Sequence, residues 1–257
     1  GNMDSIEMRS NLNSYLDLRL LIMFATIITI SSCLIWNIFS KVIEFGNMSC
    51  DISKLKTLRL NHPNKIIIGQ LNINSIRAKF NQLNYLIKDS VDILLVSETK
   101  LDESFPAAQF LIDGFSKPYR LDRNDRGGGI MLYVRDHIPS RKINTDVNLD
   151  IEAFSIEINL KKRKWLLLCS YNPHKNMIDS HISSISKQLD ILCHSYENIM
   201  IIGDLNSEMS ECSMANFCDT YNLKSLVKNA TCFKNIDNPS CIDLILTNRP
   251  TFFQNNS

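Results

Sequence analysis

The sequence predicts an α/β sandwich with a mixed sheet, and three observations support this. From residue 65 onward, apolar runs of strand length alternate with helical stripes. Some consecutive strands are joined by tight turns and others through a helix, a mixture that a doubly wound parallel sheet does not use. Three apolar runs also end abruptly in acids or amides: residues 65–74 (KIIIGQLNIN), 91–100 (VDILLVSETK) and 199–206 (IMIIGDLN). Buried strands of this kind deliver Asn72, Glu98, Asp204 and Asn206 to one rim, where such folds carry reactive groups.

The elements follow in order. Residues 65–74 form the first strand of the main domain. Ile76, Phe80, Leu83 and Ile87 then recur at 4-3-4 spacing, the stripe of an amphipathic helix, with Ser75 as its expected N-cap. The run 91–97 is a near-continuous apolar strand. Gly127, Gly128 and Gly129 lead into a strand at 130–135, permitting a tight entry or a close backbone approach. Phe154, Ile156 and Ile158 alternate with polar residues, as in a half-buried antiparallel strand. The basic run 161–164 turns the chain into a strand at 165–171 and reads as a solvated hairpin tip, with a phosphate contact as the alternative. Ile178, Ile182, Ile185, Leu189 and Leu192 mark a second amphipathic helix. A strand at 199–203, a short helix at 214–221 and a final strand at 242–247 complete the order.

Domain organisation follows from charge and hydropathy. The 257 residues carry a formal net charge of +1, and the segment 65–257 is neutral once the ends are set aside. A neutral domain is a poor non-specific binder of polyanions, yet it suits a metal site whose acidic ligands offset a basic rim. Residues 1–64 read as an N-terminal appendage. Within it, 20–40 is a run of uncharged residues bracketed by Arg19 and Lys41, long enough to span a bilayer as a helix, followed by a linker. The other reading is upstream sequence with no membrane role. Eight cysteines form no Cys-x-x-Cys pair and no zinc-finger spacing, so reduced thiols in an intracellular protein are expected.

The rim residues suit one chemistry. A carboxylate such as Glu98 beside an amide suits Mg²⁺, which takes few protein ligands and keeps waters for a phosphate. Asp204 could orient or deprotonate an attacking water. Asn206 and Tyr171 could hydrogen-bond phosphate oxygens as charge accumulates on them. Any one of these residues is more often a turn or cap, but five with Asp243 in this order are harder to dismiss.

In this ordered set the chain resembles the endonuclease/exonuclease/phosphatase superfamily, specifically the apurinic-type endonuclease domain of non-LTR (LINE-type) retrotransposons. The resemblance covers about residues 65–257. It rests on Leu71-Asn-Ile-Asn74, Ser97-Glu-Thr-Lys-Leu101, Arg126-Gly-Gly-Gly-Ile130, Tyr171-Asn-Pro173, Gly203-Asp-Leu-Asn206 and Thr231, with Ser240-Cys-Ile-Asp-Leu-Ile-Leu-Thr-Asn248. It implies a four-layer α/β sandwich of two mixed β-sheets flanked by helices, and Mg²⁺- (or Mn²⁺-) dependent cleavage of a DNA target strand. By the same resemblance Asn72 and Glu98 form the metal end, Tyr171 and Asn206 hold the scissile phosphate, and Asp204 activates the water. Asn74 and Thr231 approach the DNA, and Asp243 orients a histidine. At the third position after Tyr171, where many relatives carry Asn, this chain has His174.

The family closes with a Ser-Asp-His motif and a last strand. Here the five histidines (62, 137, 174, 181, 194) all precede Asp204. The expectation is therefore a C-terminally truncated domain with its last strand missing, an uncovered sheet edge or core face, and impaired activity. The alternatives are a membrane-anchored phosphodiesterase of the same superfamily and a catalytically dead relic or binding protein. Localisation follows the reading: nuclear for a functional retrotransposon nuclease, with membrane association possible through residues 20–40.

Overall fold

The computed structural model describes residues 19–30, 33–44, 48–145, 150–227, 231 and 240–253, with side chains from Ser53 onward. Twelve strands are described: β1 (Arg19–Ile30), β2 (Cys33–Glu44), β3 (Ile66–Asn72), β4 (Ile93–Ser97), β5 (Tyr119–Leu121), β6 (Ile130–Val134), β7 (Ser140–Ile143), β8 (Glu152–Leu160), β9 (Arg163–Tyr171), β10 (Asn198–Asp204), β11 (Lys224–Ser225) and β12 (Asp243–Thr247). The described helices are α1 (Met48–Asn61), α2 (Phe80–Ile87), α3 (Ile178–Leu192) and α4 (Cys212–Thr220). One sheet runs β2-β1-β3-β4-β6-β5 and the other β11-β12-β10-β9-β8-β7. In each, one central pair is parallel, β3 with β4 and β9 with β10, while the flanking strands are antiparallel. Both sheets are mixed, as the sequence predicts.

Alternation along the strands builds the layers. Ile68, Ile93, Leu95, Ile130 and Leu132 face Phe154, Ile156, Leu167, Met200, Ile202 and Ile245 across the gap between the sheets. Their neighbours point outward. Ile67, Leu71, Leu94 and Val96 meet Leu55 of α1 and Leu83, Leu86 and Ile87 of α2. Leu166, Leu168, Ile199, Ile201, Leu244 and Leu246 meet Ile185 and Leu189 of α3 and Met214 and Phe217 of α4. The order is helix, sheet, sheet, helix: a four-layer sandwich. Each fully buried Leu or Ile contributes about 1.5–3 kcal/mol. Trp165 sits in the central core with Phe252 and Phe253 edge-on to it, at centroid distances of 6.0 and 5.5 Å.

Three expectations are corrected. Of the apolar run 20–40, residues 20–30 lie in β1 and residues 33–40 in β2, which pair with each other, and β1 pairs in turn with β3. Among the described residues no helix is long and apolar enough to cross a membrane. The run is rich in Ile, which suits a strand, and an apolar run alone does not separate strand from helix. The pairing also covers the edge of β3, and β12 is covered by β11 through two residue pairs. Second, the expected linker before residue 65 contains α1, which is docked on the domain. Leu55 is fully buried, and Arg59 donates to the Ser90 carbonyl and pairs with Asp92 at 2.5 Å. Third, Ser75 does not cap α2. Its φ is +78° and its amide donates to the Glu98 carbonyl at 2.8 Å, so the helix starts four residues later, after Lys79.

Candidate active site

Parallel pairing brings the C-terminal ends of β3 and β4 to one rim, with Asn72 opposite Ser97, and those of β9 and β10 to another, with Tyr171 opposite Asp204. Antiparallel β12 and β8 present their first residues at the same place, Asp243 opposite Asp204 and Glu152 opposite Tyr171. The two rims meet. Asn72 Nδ2 donates to Glu98 Oε1 at 2.7 Å and to Asp204 Oδ2 at 3.1 Å, linking carboxylates from both sheets through one amide. Tyr171 donates its hydroxyl to Glu98 Oε1 at 3.2 Å.

The turns after β3 and β4 are unusual and mutually braced. Asn74, Ser75, Glu98 and Lys100 all have φ between +44° and +78°. For non-glycine residues this backbone costs on the order of 1–3 kcal/mol each, less for Asn, and persists only where surroundings enforce it. Ile73, Ser75 and Ile76 donate their amides to the carbonyls of Ser97, Glu98 and Thr99. The Asn74 amide donates to Asn72 Oδ1, and Lys100 Nζ donates to Asn74 Oδ1. Lys79 Nζ donates to the carbonyls of Ile73 and Asn74. Asn74 therefore lies at the rim, holding the two exit turns together.

On the second sheet, Asp204 Oδ1 accepts from the Asn206 amide at 3.2 Å, and Asn206 has φ +47°. Asn172 holds this turn: its amide donates to the Asp204 carbonyl, its Nδ2 to the Leu205 carbonyl, and its carbonyl accepts from Asn206 Nδ2 at 2.7 Å. Asp243 Oδ1 accepts from Gln70 Nε2 of β3 at 2.9 Å, a further bridge between the sheets. Thr231 is buried. Its hydroxyl oxygen accepts the amides of Ile242 and Asp243 at 3.0 Å each, so it serves to seat Asp243 in place.

Burial and the neighbouring Asp243 raise Asp204 well above the ordinary carboxylate range, against the lowering effect of the Asn72 and Asn206 donors. A carboxylate in this state takes a proton readily, as a general base must. Burial, with Glu98 and Asp204 adding to it, pushes the Tyr171 hydroxyl up, so it stays a donor. His174 is exposed. His181 lies on the outer face of the second sheet, its Nε2 2.7 Å from Ser170 Oγ, with burial lowering it to about 4.

Among the described residues no group of three or more His, Cys, Asp or Glu side chains stands close enough to hold a metal ion. A zinc-type cage is therefore absent from them. What converges instead is Glu98, Asp204 and one amide, whose NH₂ stands between the two carboxylates where positive charge is wanted. That donor set fits Mg²⁺ or Mn²⁺, which accept few protein ligands and keep waters. Asn72 now presents its NH₂ to Glu98, so its oxygen would face an ion only after the amide turned over.

Sequence reading passed over Gln70, Asn172 and Glu152. Gln70 is the one polar residue inside an apolar strand, and shares the core-facing side with Ile68. Glu152 heads the alternation of Phe154, Ile156 and Ile158, so its position on the inner face was available from spacing. Asn172 stands within the quoted Tyr171-Asn-Pro173 motif, and nothing in its spacing reveals the turn it supports.

Two mixed sheets packed face to face, with acids and amides gathered at the strand ends, define a phosphoesterase-type α/β sandwich. The sequence profile of the endonuclease/exonuclease/phosphatase family matches residues 69–256, and the chain belongs to that family. No curated protein matches it by sequence. Similar solved structures include the endonuclease domain of TRAS1, a telomere-specific non-LTR retrotransposon, with TM-score 0.51 and 13% identity, over 70% of this chain and 83% of that one. A 3′-5′ exonuclease from Neisseria meningitidis gives TM-score 0.51 and 16% identity, over 70% and 86%. A family protein from Leptotrichia buccalis gives 0.50 and 14%, over 70% and 86%. At these identities the likeness is one of fold.

Proposed function

We propose that this chain is a Mg²⁺- or Mn²⁺-dependent phosphodiesterase that nicks DNA, of the kind that opens the target strand for a non-LTR retrotransposon. The observation that supports the reading is the Asn72 amide, which hydrogen-bonds both to Glu98, the acid proposed to bind the metal, and to the buried Asp204, the proposed base. Bound at Glu98 and Asn72, the metal would offset charge on the phosphate oxygens. Asp204 takes a proton from a water that attacks phosphorus, while Asn206 and the protonated Tyr171 donate to the phosphate oxygens. The phosphorus–O3′ bond breaks, leaving a 5′-phosphate, and the departing 3′-oxygen takes a proton from solvent.

Supercoiled plasmid incubated with the full chain and Mg²⁺ tests this. Nicked circles are expected to form slowly, since no histidine stands among the described site residues, and the rate should fall at least a further 100-fold in Glu98→Ala and Asp204→Asn. Absence of nicking together with Glu98-dependent hydrolysis of a small phosphodiester would move the substrate class from DNA to small esters. Hydrolysis indifferent to both substitutions would refute the site.

A further inference from the structure

Glu152 is the first residue of β8 on the second sheet, opposite Tyr171, and its side chain is 12% exposed. It makes no hydrogen bond to the candidate catalytic groups. Its Oε2 instead accepts the amide of Gly129, and its Oε1 pairs with Arg123 Nη1 at 2.8 Å. Arg123 Nε in turn donates to the Gly127 carbonyl at 3.0 Å. One carboxylate thus ties down both ends of the triple-glycine loop.

That loop grips the segment that carries Glu98. The Gly129 carbonyl accepts the Thr99 amide at 3.1 Å and the Gly128 carbonyl accepts the Lys100 amide at 2.9 Å. The approach leaves no room for side chains. A Cβ on Gly129 would lie 2.3 Å from Thr99 Oγ1, and one on Gly128 would lie 2.5 Å from Glu152 Oε1. Both glycines also have positive φ, at +69° and +86°. Glu98 and Lys100 have left-handed backbone, a conformation that relaxes unless neighbours enforce it. The hydrogen bonds from Gly128 and Gly129 enforce it from one side, and the amides of Ser75 and Ile76 from the other.

We infer that Glu152 is a positioning residue for the metal end of the site: acting from the second sheet through Gly129, it holds the Glu98–Lys100 turn so that Glu98 faces Asn72 and Asp204. The inference rests on the phosphodiesterase reading for what Glu98 binds, though not for the brace itself. Glu152 touches neither metal nor phosphate in this role. Its removal leaves the buried Gly129 amide without its acceptor and Arg123 without its carboxylate partner, so the turn loses its support while Glu98 remains present.

The test measures two things on the full chain. Mg²⁺ affinity is read from the shift of melting temperature with Mg²⁺ concentration, with Glu98→Ala as control, and hydrogen exchange is followed at Thr99 and Lys100 without metal. In Glu152→Ala, Mg²⁺ affinity is expected to fall at least tenfold and exchange at the two amides to rise at least tenfold. In Glu152→Gln, whose amide oxygen can still accept from Gly129, both should stay within about threefold of wild type. If the Ala variant does not fold, Glu152→Met keeps the side-chain volume without the acceptor. Unchanged exchange at Thr99 and Lys100 overturns the inference. So does a rise matched at Leu94 and Val96, which would signal general destabilisation alone. A wild-type chain whose melting ignores Mg²⁺ refutes the metal reading instead, and exchange then decides the brace by itself.

Discussion

Gly203 carries the sharpest structural prediction. It lies in β10 between β9, where its partner is Ser170, and β12, where its partner is Leu244. A Cβ added there would lie 2.1 Å from the Ser170 carbonyl oxygen and 3.0 Å from its carbon. The obstacle is backbone, so no rotamer change relieves it and the two parallel strands must separate. Overpacking of a buried site costs about 1–3 kcal/mol, and a backbone obstacle puts Gly203→Ala at about 3. For a domain of this size each kcal/mol is worth roughly 2–4 °C, so the melting temperature should fall by about 6–12 °C. The displaced strand also carries Asp204, the next residue. Since a misplacement of about 1 Å can cost about 100-fold in rate, nicking should drop by that order at temperatures where the variant is still folded. Circular dichroism melting paired with the plasmid assay measures both. A Gly203→Ala chain that melts within about 2 °C of wild type would refute the close approach of β9 to β10.

Asp204→Asn should abolish nicking yet stabilise the metal-free chain at neutral pH. The folded carboxyl is raised above its ordinary 3.8, so protonation favours the fold. That stabilisation is complete below the ordinary value and is lost as pH rises through the folded one. The stability gap between Asn variant and wild type should therefore widen with pH across that window in guanidinium titrations, and a gap independent of pH would contradict it. Thr231→Val keeps the shape but strips the acceptor from two amides. It should cost about 2 kcal/mol, with Thr231→Ser close to wild type, in the same titrations. Asn172→Ala frees the Leu205 carbonyl and loosens the Asp204–Asn206 turn, so kcat should fall about tenfold with little change in KM in nicking kinetics. Equal changes in both would place Asn172 in substrate binding.

Much of the fold was legible because its signals are local. The 4-3-4-3 stripe of Ile178 to Leu192 reports one helix's buried face and is found as read. The alternation of Phe154, Ile156 and Ile158 finds an antiparallel strand, but the intervening Ser155 and Glu157 are buried too, under the outer layer, so the strand is not half-buried. The strands β5, β7 and β11 were not foreseen. They are two to four residues long, and their burial comes from the neighbours they pair with. The run 20–40 was misassigned for a related reason: a continuous apolar segment has no period, so only its pairing with β3 distinguishes strand from membrane helix. Within the site, Asn72, Glu98, Tyr171 and Asp204 were visible as polar residues ending apolar runs. The residues that support them act through backbone groups of another element, as Asn172 does on Leu205 and Thr231 does on Asp243, and such bonds leave no pattern in the sequence.

The architecture gives a reason for building the site across two sheets. In the proposed mechanism an acid and a base within one sheet would sit on adjacent strand ends, as Asp204 and Asp243 do, and would share one environment. Here Glu98 belongs to the first sheet and Asp204 to the second, so Asp204 can be buried and raised while Glu98 stays partly open at the rim. That division requires the sheets to keep a fixed register with each other, which apolar packing alone specifies poorly because it is non-directional. Polar bridges supply the direction, among them Asn72 to Asp204 and Gln70 to Asp243 from β3, and Tyr171 to Glu98 from β9. Gln70 is fully buried and its bond joins strands that are not neighbours, so its contribution is to alignment more than to stability. The two bridges from β3 start two residues apart, at the end of the strand and just beneath it, so a slip between the sheets would break both at once.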